Sequence, residues 1–214
     1  MHMNIALLRD FVVRPARLAD AESVVNLLTA IACEEEPEQA ANLSLAEEDS
    51  ERTVAATLAF WRTLDLVHDT QVVVAPDESI VGYIDVGMMF RNAEHTDRCV
   101  RIRHVSGVHP DYTGRGIGTW LLHFAQWWTQ QHSSGEPMRI VAWIHHRNER
   151  ARHLLIREGY VYRGDHTYRA LQLNEQARQR LVSQYTSYSK VVTPDMLVVL
   201  CRGVKGERQD TLNS

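Results

Sequence analysis

The sequence predicts an α/β domain, and three observations carry that expectation. Runs with the two-residue period of strands alternate with segments of helical period along most of the 214 residues. Hydrophobic residues make up 44% and charged residues 23%, the balance of a chain that buries a core and is not disordered throughout. A glycine-rich turn in VHPDYTGRGIGTWLL, residues 108 to 122, stands between a strand and a helix. A single domain over 1–214 follows: a core over about 11–203, a helical insertion over about 168–190 and a polar tail over 204–214.

The elements follow in order. Phe11 to Arg14 reads as a short strand stopped by Pro15, and Asp20 then caps a helix with Val24, Leu27, Leu28 and Ile31 at helical spacing. The acidic run EEEPE, Glu34 to Glu38, is broken by Pro37. Residues 44 to 66 read as a second helix with Val54, Leu58 and Trp61 on one face. QVVVA (71–75) and SIVGYIDVGMMF (79–90) form a hairpin about Pro76 and Asp77, and CVRIRHVSGV (99–108) is the next strand. After the glycine turn, Ile117, Leu121, Phe124 and Trp128 line one face of a helix running to about Gln131. MRIVAWI (138–144) is a central strand, HHRNERARHLLIREGY a helix stopped at Gly159, and VYRG a further strand. Residues 170 to 186 read as helical, and TPDMLVVLCRG (193–203) as the last strand. The stretch 170–186 leaves a homodimer contact open, although covering its own sheet is the ordinary role.

Composition bounds the function. A formal net charge of -4 offers no global attraction to nucleic acid or to an anionic membrane. Cys33, Cys99 and Cys201 form no CxxC pair and no disulfide framework, so small buried residues in a reducing, cytoplasmic setting are expected. The opening MHMNIALLRDFVVRP lacks a long apolar segment and reads as neither signal peptide nor membrane anchor. The histidines show no metal-ligand spacing.

Gly114, Gly116 and Gly118 make the turn unusual. A strand that ends in such a turn and opens a helix exposes a cluster of unpaired backbone N–H groups at the positive end of the helix dipole, which suits a phosphate or pyrophosphate. Bare glycines allow close approach, and Arg115 adds charge at the rim. The plain alternative is a tight turn in which glycine only relieves strain. A Walker loop would need Gly-Lys-Ser/Thr, whereas the chain reads GIGTW. A dinucleotide GxGxxG would need its third glycine at Thr119.

VHPDYTGRGIGTWLL resembles motif A of the GNAT superfamily of N-acetyltransferases, Gln/Arg-x-x-Gly-x-Gly/Ala between a strand and a helix. AWIHHRNERARHLLIREGY resembles the second family pattern, with Asn148, Ala151, Leu154, Gly159 and Tyr160 at matching positions. VRPARLADAESVVNLL resembles the first strand and helix, and VGYIDVG the strand before motif A. The resemblance spans roughly residues 11 to 164 plus a final strand. It implies a mixed, mainly antiparallel sheet with a central splay, flanked by helices. It also implies acetyl-CoA as acyl donor and direct transfer of acetyl to a primary amine of a small-molecule or peptide acceptor.

Carried over, backbone amides of Gly114, Arg115, Gly116, Ile117, Gly118 and Thr119 would hold the coenzyme A pyrophosphate. Val108, with His109 beside it, would pair with the pantetheine arm, and Asn148 would contact the pantetheine or cap its helix. Three departures matter. Thr113 stands where the family has glutamine or arginine, and threonine offers one hydroxyl and no charge. Leu155 stands where a tyrosine often serves as general acid. The strand entering motif A lacks the glutamate some members use as base, which leaves His104, Asp85 through a water, or His145 and His146. Tyr160 and Tyr162 read as packing residues. Glu34, Glu35, Glu36 and Glu38 either attract a cationic amine or form a solvated acidic loop. These departures keep a second expectation open: a degenerate acetyl-CoA-binding sensor or interaction module.

Overall fold

The computed structural model describes Leu8 and residues 10–35, 54–90, 97–102, 106–163 and 185–196. Strand β1 is Val12–Arg14, followed by helix α1 at Ala21–Glu35. Helices α2 (Val54–Trp61) and α3 (Leu66–Asp69) precede the hairpin of β2 (Thr70–Val74) and β3 (Ile80–Phe90). Next come β4 (Arg98–Ile102), β5 (Gly107–Val108), α4 (Ile117–His132) and β6 (Met138–His145). Helix α5 (Glu149–Arg157), β7 (Val161–Tyr162) and β8 (Tyr185–Val192) complete the described chain. The strands form one open sheet in the order β1-β2-β3-β4-β6-β8-β7, with β5 paired to β3. Among the described residues only the β4–β6 pair is parallel. The expected α/β fold with a mixed, mainly antiparallel sheet is therefore observed.

Strand alternation divides the core between the two faces. Helix α4 buries Ile117, Leu121, Phe124 and Trp128 against Val86, Val100, Ile140 and Ala142 on one face, and Leu155 of α5 joins the same cluster. On the other face, Val24 and Leu27 of α1 and Trp61 of α2 pack on Val72 and Tyr83. Each such apolar side chain contributes about 1.5–3 kcal/mol when fully buried, so these two layers fix the sheet between its helices. Asp85, Arg101 and Trp143 lie on the α1 side through the registers Gly87↔Arg101 and Arg101↔Val141.

Several expected boundaries move. The strand expected over 99–108 is divided into β4 and β5. The register changes by two residues between Val86↔Ile102 and Tyr83↔Gly107, so one continuous ladder cannot join them. The helical insertion expected to reach residue 190 gives way at Tyr185 to strand, because YTSYSKVV pairs along the whole of β6. The strand expected from 193 is displaced accordingly: residues 193–196 form a turn, and the rest of that stretch lies outside the described residues. Asp20 supports α1 by reaching back, since its Oδ2 accepts from Arg17 N at 2.7 Å while Arg14 grips the same carboxylate. Cys99 is buried as expected, whereas Cys33 on α1 is exposed. Residues 44–53 of the second expected helix, most of 170–186, Cys201 and the tail 204–214 lie outside the described residues. Among the described residues, no helix is long and apolar enough to cross a membrane.

Candidate active site

The site begins where β4 and β6 part. Among the described residues their pairing runs to Ile102↔Ala142, while β5 pairs with β3 through Gly82↔Val108 and Tyr83↔Gly107. His109 N donates to Val81 O at 2.8 Å, so His109 and Gly107 turn their backbone groups toward β3. Ladder alternation then turns the N–H and C=O of Val108 to the opposite edge, toward β6. Among the described residues neither group has a backbone partner there, and β6 continues along β8 to His145. A wedge opens between the two strands, with an unpaired strand edge on its β5 side. An extended ligand carrying amides could add to that edge.

Past Val108, a short 3-10 turn at Pro110–Tyr112 leads into the glycines. Gly114 has φ +75° and Gly116, the residue before α4, has φ +81°, conformations that a side chain would strain. A β-carbon on Gly114 would meet nothing within 4 Å, so its approach is open. Gly118 is bare for a different reason: a β-carbon there would sit 2.8 Å from Leu154 Cδ2. Trp120 N makes the first intrahelical bond, to Gly116 O, and no side chain caps the helix. The N–H groups of Ile117, Gly118 and Thr119 are thus helix donors without intrahelical acceptors, at the positive end of a 16-residue dipole. This open, uncapped turn fits a pyrophosphate, and the free edge at Val108 fits a pantetheine arm.

The side chains around the turn are partly committed. Thr113 Oγ1 donates to Pro110 O at 2.9 Å, so its hydrogen serves the turn. Arg115 lies over the Tyr112 ring at 4.9 Å and remains exposed. Thr119 Oγ1 accepts from Arg157 Nη2 at 2.8 Å, which leaves its backbone N–H as the group facing a ligand. Arg157 itself escapes sequence reasoning. It stands 38 residues from Thr119 in the chain, and only the packing of α5 on α4 brings its guanidinium to the first turn.

Asn148 caps α5, its side chain accepting from Ala151 N at 2.8 Å. Leu155 is buried in the core at 2% exposure, and Tyr160 is buried as well, burial pushing its phenol up. Tyr162 is exposed and packs edge-on against Tyr188. Asp85 is wholly buried on β3: its Oδ2 accepts from Tyr83 Oη at 3.0 Å, and its N–H donates to Ser106 Oγ at 3.2 Å. It therefore sits beside the point where β4 and β5 part. His104 lies outside the described residues. His145 is buried at the end of β6, stacks on His146 at 4.7 Å and accepts from Arg147 N through Nδ1. Glu34 is exposed at the end of α1 and paired, since Arg150 Nη1 at the start of α5 donates to it at 2.5 Å; Glu36 and Glu38 lie outside the described residues.

Residues 68–162 match the family model described as the acetyltransferase (GNAT) domain. Among solved structures, a GCN5-related N-acetyltransferase from Sphaerobacter thermophilus is 26% identical with a TM-score of 0.54, the match covering 72% of this chain and 44% of that one. The chain thus spans less than half of that relative. PaiA N-acetyltransferase from Thermoplasma acidophilum, solved in complex with coenzyme A, is 14% identical with a TM-score of 0.58, over 84% of this chain and 98% of that one. A GNAT acetyltransferase from Staphylococcus aureus Mu50 is 13% identical with a TM-score of 0.60, over 86% and 99% respectively. At those identities the last two bear on the fold alone. No curated protein matches in sequence.

Proposed function

From the match of residues 68–162 to the acetyltransferase (GNAT) domain, we propose that the chain is a GNAT acetyltransferase that transfers an acetyl group from acetyl-CoA directly to a primary amine. The observation that supports this reading is the meeting of two unpartnered backbone surfaces: the edge of Val108 and the uncapped first turn of α4. The amides from Gly114 to Thr119 would hold the pyrophosphate, and Val108 would pair with the pantetheine arm, with His109 anchoring that strand to β3. Arg115 and Arg157 add positive charge on either side of the turn. Bound acetyl-CoA supplies an activated acetyl thioester. The remaining work falls to the protein: aligning the acceptor, excluding water and taking a proton from the amine.

Asp85 is the described carboxylate beside the wedge and would take that proton through a water, with His104 the other expected base. Leu155 supplies no proton to the departing thiolate, so alignment in the wedge accounts for more of the acceleration than acid catalysis does. The acceptor would be a small-molecule or peptide amine entering from the α1 and α2 side.

The burial of Leu155 also favours a second reading, an acetyl-CoA-binding sensor without turnover. Titration calorimetry with acetyl-CoA, followed by thiol release across polyamine, aminoglycoside and lysine-peptide acceptors, separates the two. Binding with amine-dependent thiol release supports the enzyme. Binding without release on any amine supports the sensor, and absence of binding removes both.

A further inference from the structure

Helix α2 reaches the candidate base through two hydrogen bonds. Trp61 Nε1, at the end of α2, donates to Tyr83 Oη at 3.0 Å, and Tyr83 Oη donates to Asp85 Oδ2 at 3.0 Å. The three side chains are 2%, 1% and 0% exposed. We infer that Trp61 and Tyr83 are positioning residues that aim and hold the Asp85 carboxylate for the proton of the acceptor amine. The inference rests on the reading of Asp85 as proton acceptor.

The polarity of the chain follows from donor chemistry. An indole N–H can only donate, so Trp61 occupies a lone pair of the Tyr83 oxygen and directs the phenol hydrogen onward to Asp85. A phenol hydrogen aimed at one carboxylate oxygen fixes the rotation of that carboxylate and so the direction its other oxygen faces. Thr70, paired across from Asp85, does not compete: its hydroxyl donates to Leu66 O at 2.6 Å and accepts from Ala16 N at 3.1 Å. The Trp61 and Tyr83 rings pack at 5.7 Å with a 35° tilt, which restricts the phenol to one direction. Tyr83 is also the cross-strand partner of Gly107, so the same residue braces the strand that begins the wedge. A core position asking only for an apolar ring would be filled by phenylalanine at 83. The hydroxyl, with a donor behind it and a carboxylate ahead, is what needs a role.

The test uses D85N, Y83F, W61F and W61H in the full chain, with acetyl-CoA and the fastest amine of the acceptor panel. D85N should lower kcat by about 100-fold or more. Y83F should lower it about tenfold and W61F about threefold to tenfold, each with KM for acetyl-CoA unchanged. W61H, which restores an N–H donor, should recover part of the W61F loss. Infrared difference spectra give a readout that needs no amine: the carboxylate band removed by D85N should shift in Y83F and W61F. An unmoved band, or wild-type kcat in both Y83F and W61F while D85N is impaired, overturns the relay and leaves Asp85 as base. Wild-type kcat in D85N overturns the base assignment and the relay together. Y83F removes one oxygen without changing the packing shape, so the test stands even if W61F folds poorly.

Discussion

Gly118, in the first turn of α4, packs so tightly against Leu154 of α5 that a β-carbon at 118 would sit 2.8 Å from Leu154 Cδ2. The two segments that carry the family resemblance are thereby in direct contact, and the ligand-facing turn depends on how closely the second helix approaches. Gly118→Ala must push the flexible end of Leu154 aside, a cost that alanine's better helix propensity of about 1 kcal/mol partly offsets. The net loss in denaturant unfolding should therefore stay under about 1 kcal/mol, while acetyl-CoA binding weakens as the turn shifts. Combining it with Leu154→Ala should recover part of both losses. Strict additivity in the double mutant would show that the two residues are not coupled.

Asn148 offers a test of two roles held by one side chain. Asn148→Ala removes the bond to Ala151 N and should cost about 1 kcal/mol of stability. Asn148→Asp keeps a capping acceptor and should retain most of that stability. If both variants lose acetyl-CoA affinity equally in calorimetry, the side chain also touches the ligand; if only the alanine variant does, capping is the whole effect.

Restoring the family tyrosine should not rescue catalysis. Leu155 fills a closed core among Ile117, Leu121 and Tyr160, so Leu155→Tyr adds volume and a hydroxyl where no solvent reaches. A loss of about 1–3 kcal/mol in stability is expected, without a rise in kcat. A faster enzyme of unchanged stability would contradict this.

Arg157 is held at the first turn of α4 by its bond to Thr119 and is mostly exposed. Arg157→Ala should raise KM for acetyl-CoA about two- to fivefold, an effect that shrinks as salt is raised. A KM independent of both the substitution and salt would remove Arg157 from the binding surface.

The sequence makes the fold legible where period and punctuation agree. The face Ile117, Leu121, Phe124 and Trp128 is buried as read, and the hairpin of β2 and β3 turns where Pro76 and Asp77 stand. It is less legible where tertiary pairing decides. In YTSYSKVV, small polar residues hide a strand whose Ser187 and Ser189 are buried because β6 lies beside them. The glycines of the turn are visible in sequence, but Gly118 answers to Leu154, a contact no local pattern announces. Arg157 and the Trp61–Tyr83 link are hidden from local pattern for the same reason: each joins elements far apart in the chain. Asp85 was legible as a candidate only because it is an acid in an otherwise apolar strand.

Asp20 carries a pH dependence that the strand-to-helix entry makes readable. Burial raises its pKa, but hydrogen bonds from Arg14 and the Arg17 backbone outweigh it, and the net effect holds the carboxyl below its ordinary 3.8. A depressed folded-state pKa stabilises the fold above the unfolded value and is lost as pH falls through the folded one. The contribution of Asp20 should therefore be complete at neutral pH and fade below about pH 4. Asp20→Asn should be less stable at neutral pH, with the gap narrowing in urea melts taken toward pH 2. A constant gap would refute the linkage.

Strand β8 lies along all eight residues of β6, from Met138↔Val192 to His145↔Tyr185. During synthesis, β6 leaves the ribosome well before the partner that completes it. Until Val192 has emerged, the parting strand is an open edge on that side, and the wedge has only one finished wall. A nascent chain halted near residue 163 should accordingly hold the glycine turn and its helix yet lack a rigid second wall. The ability to bind the donor should then arise late, as a single step once β8 docks.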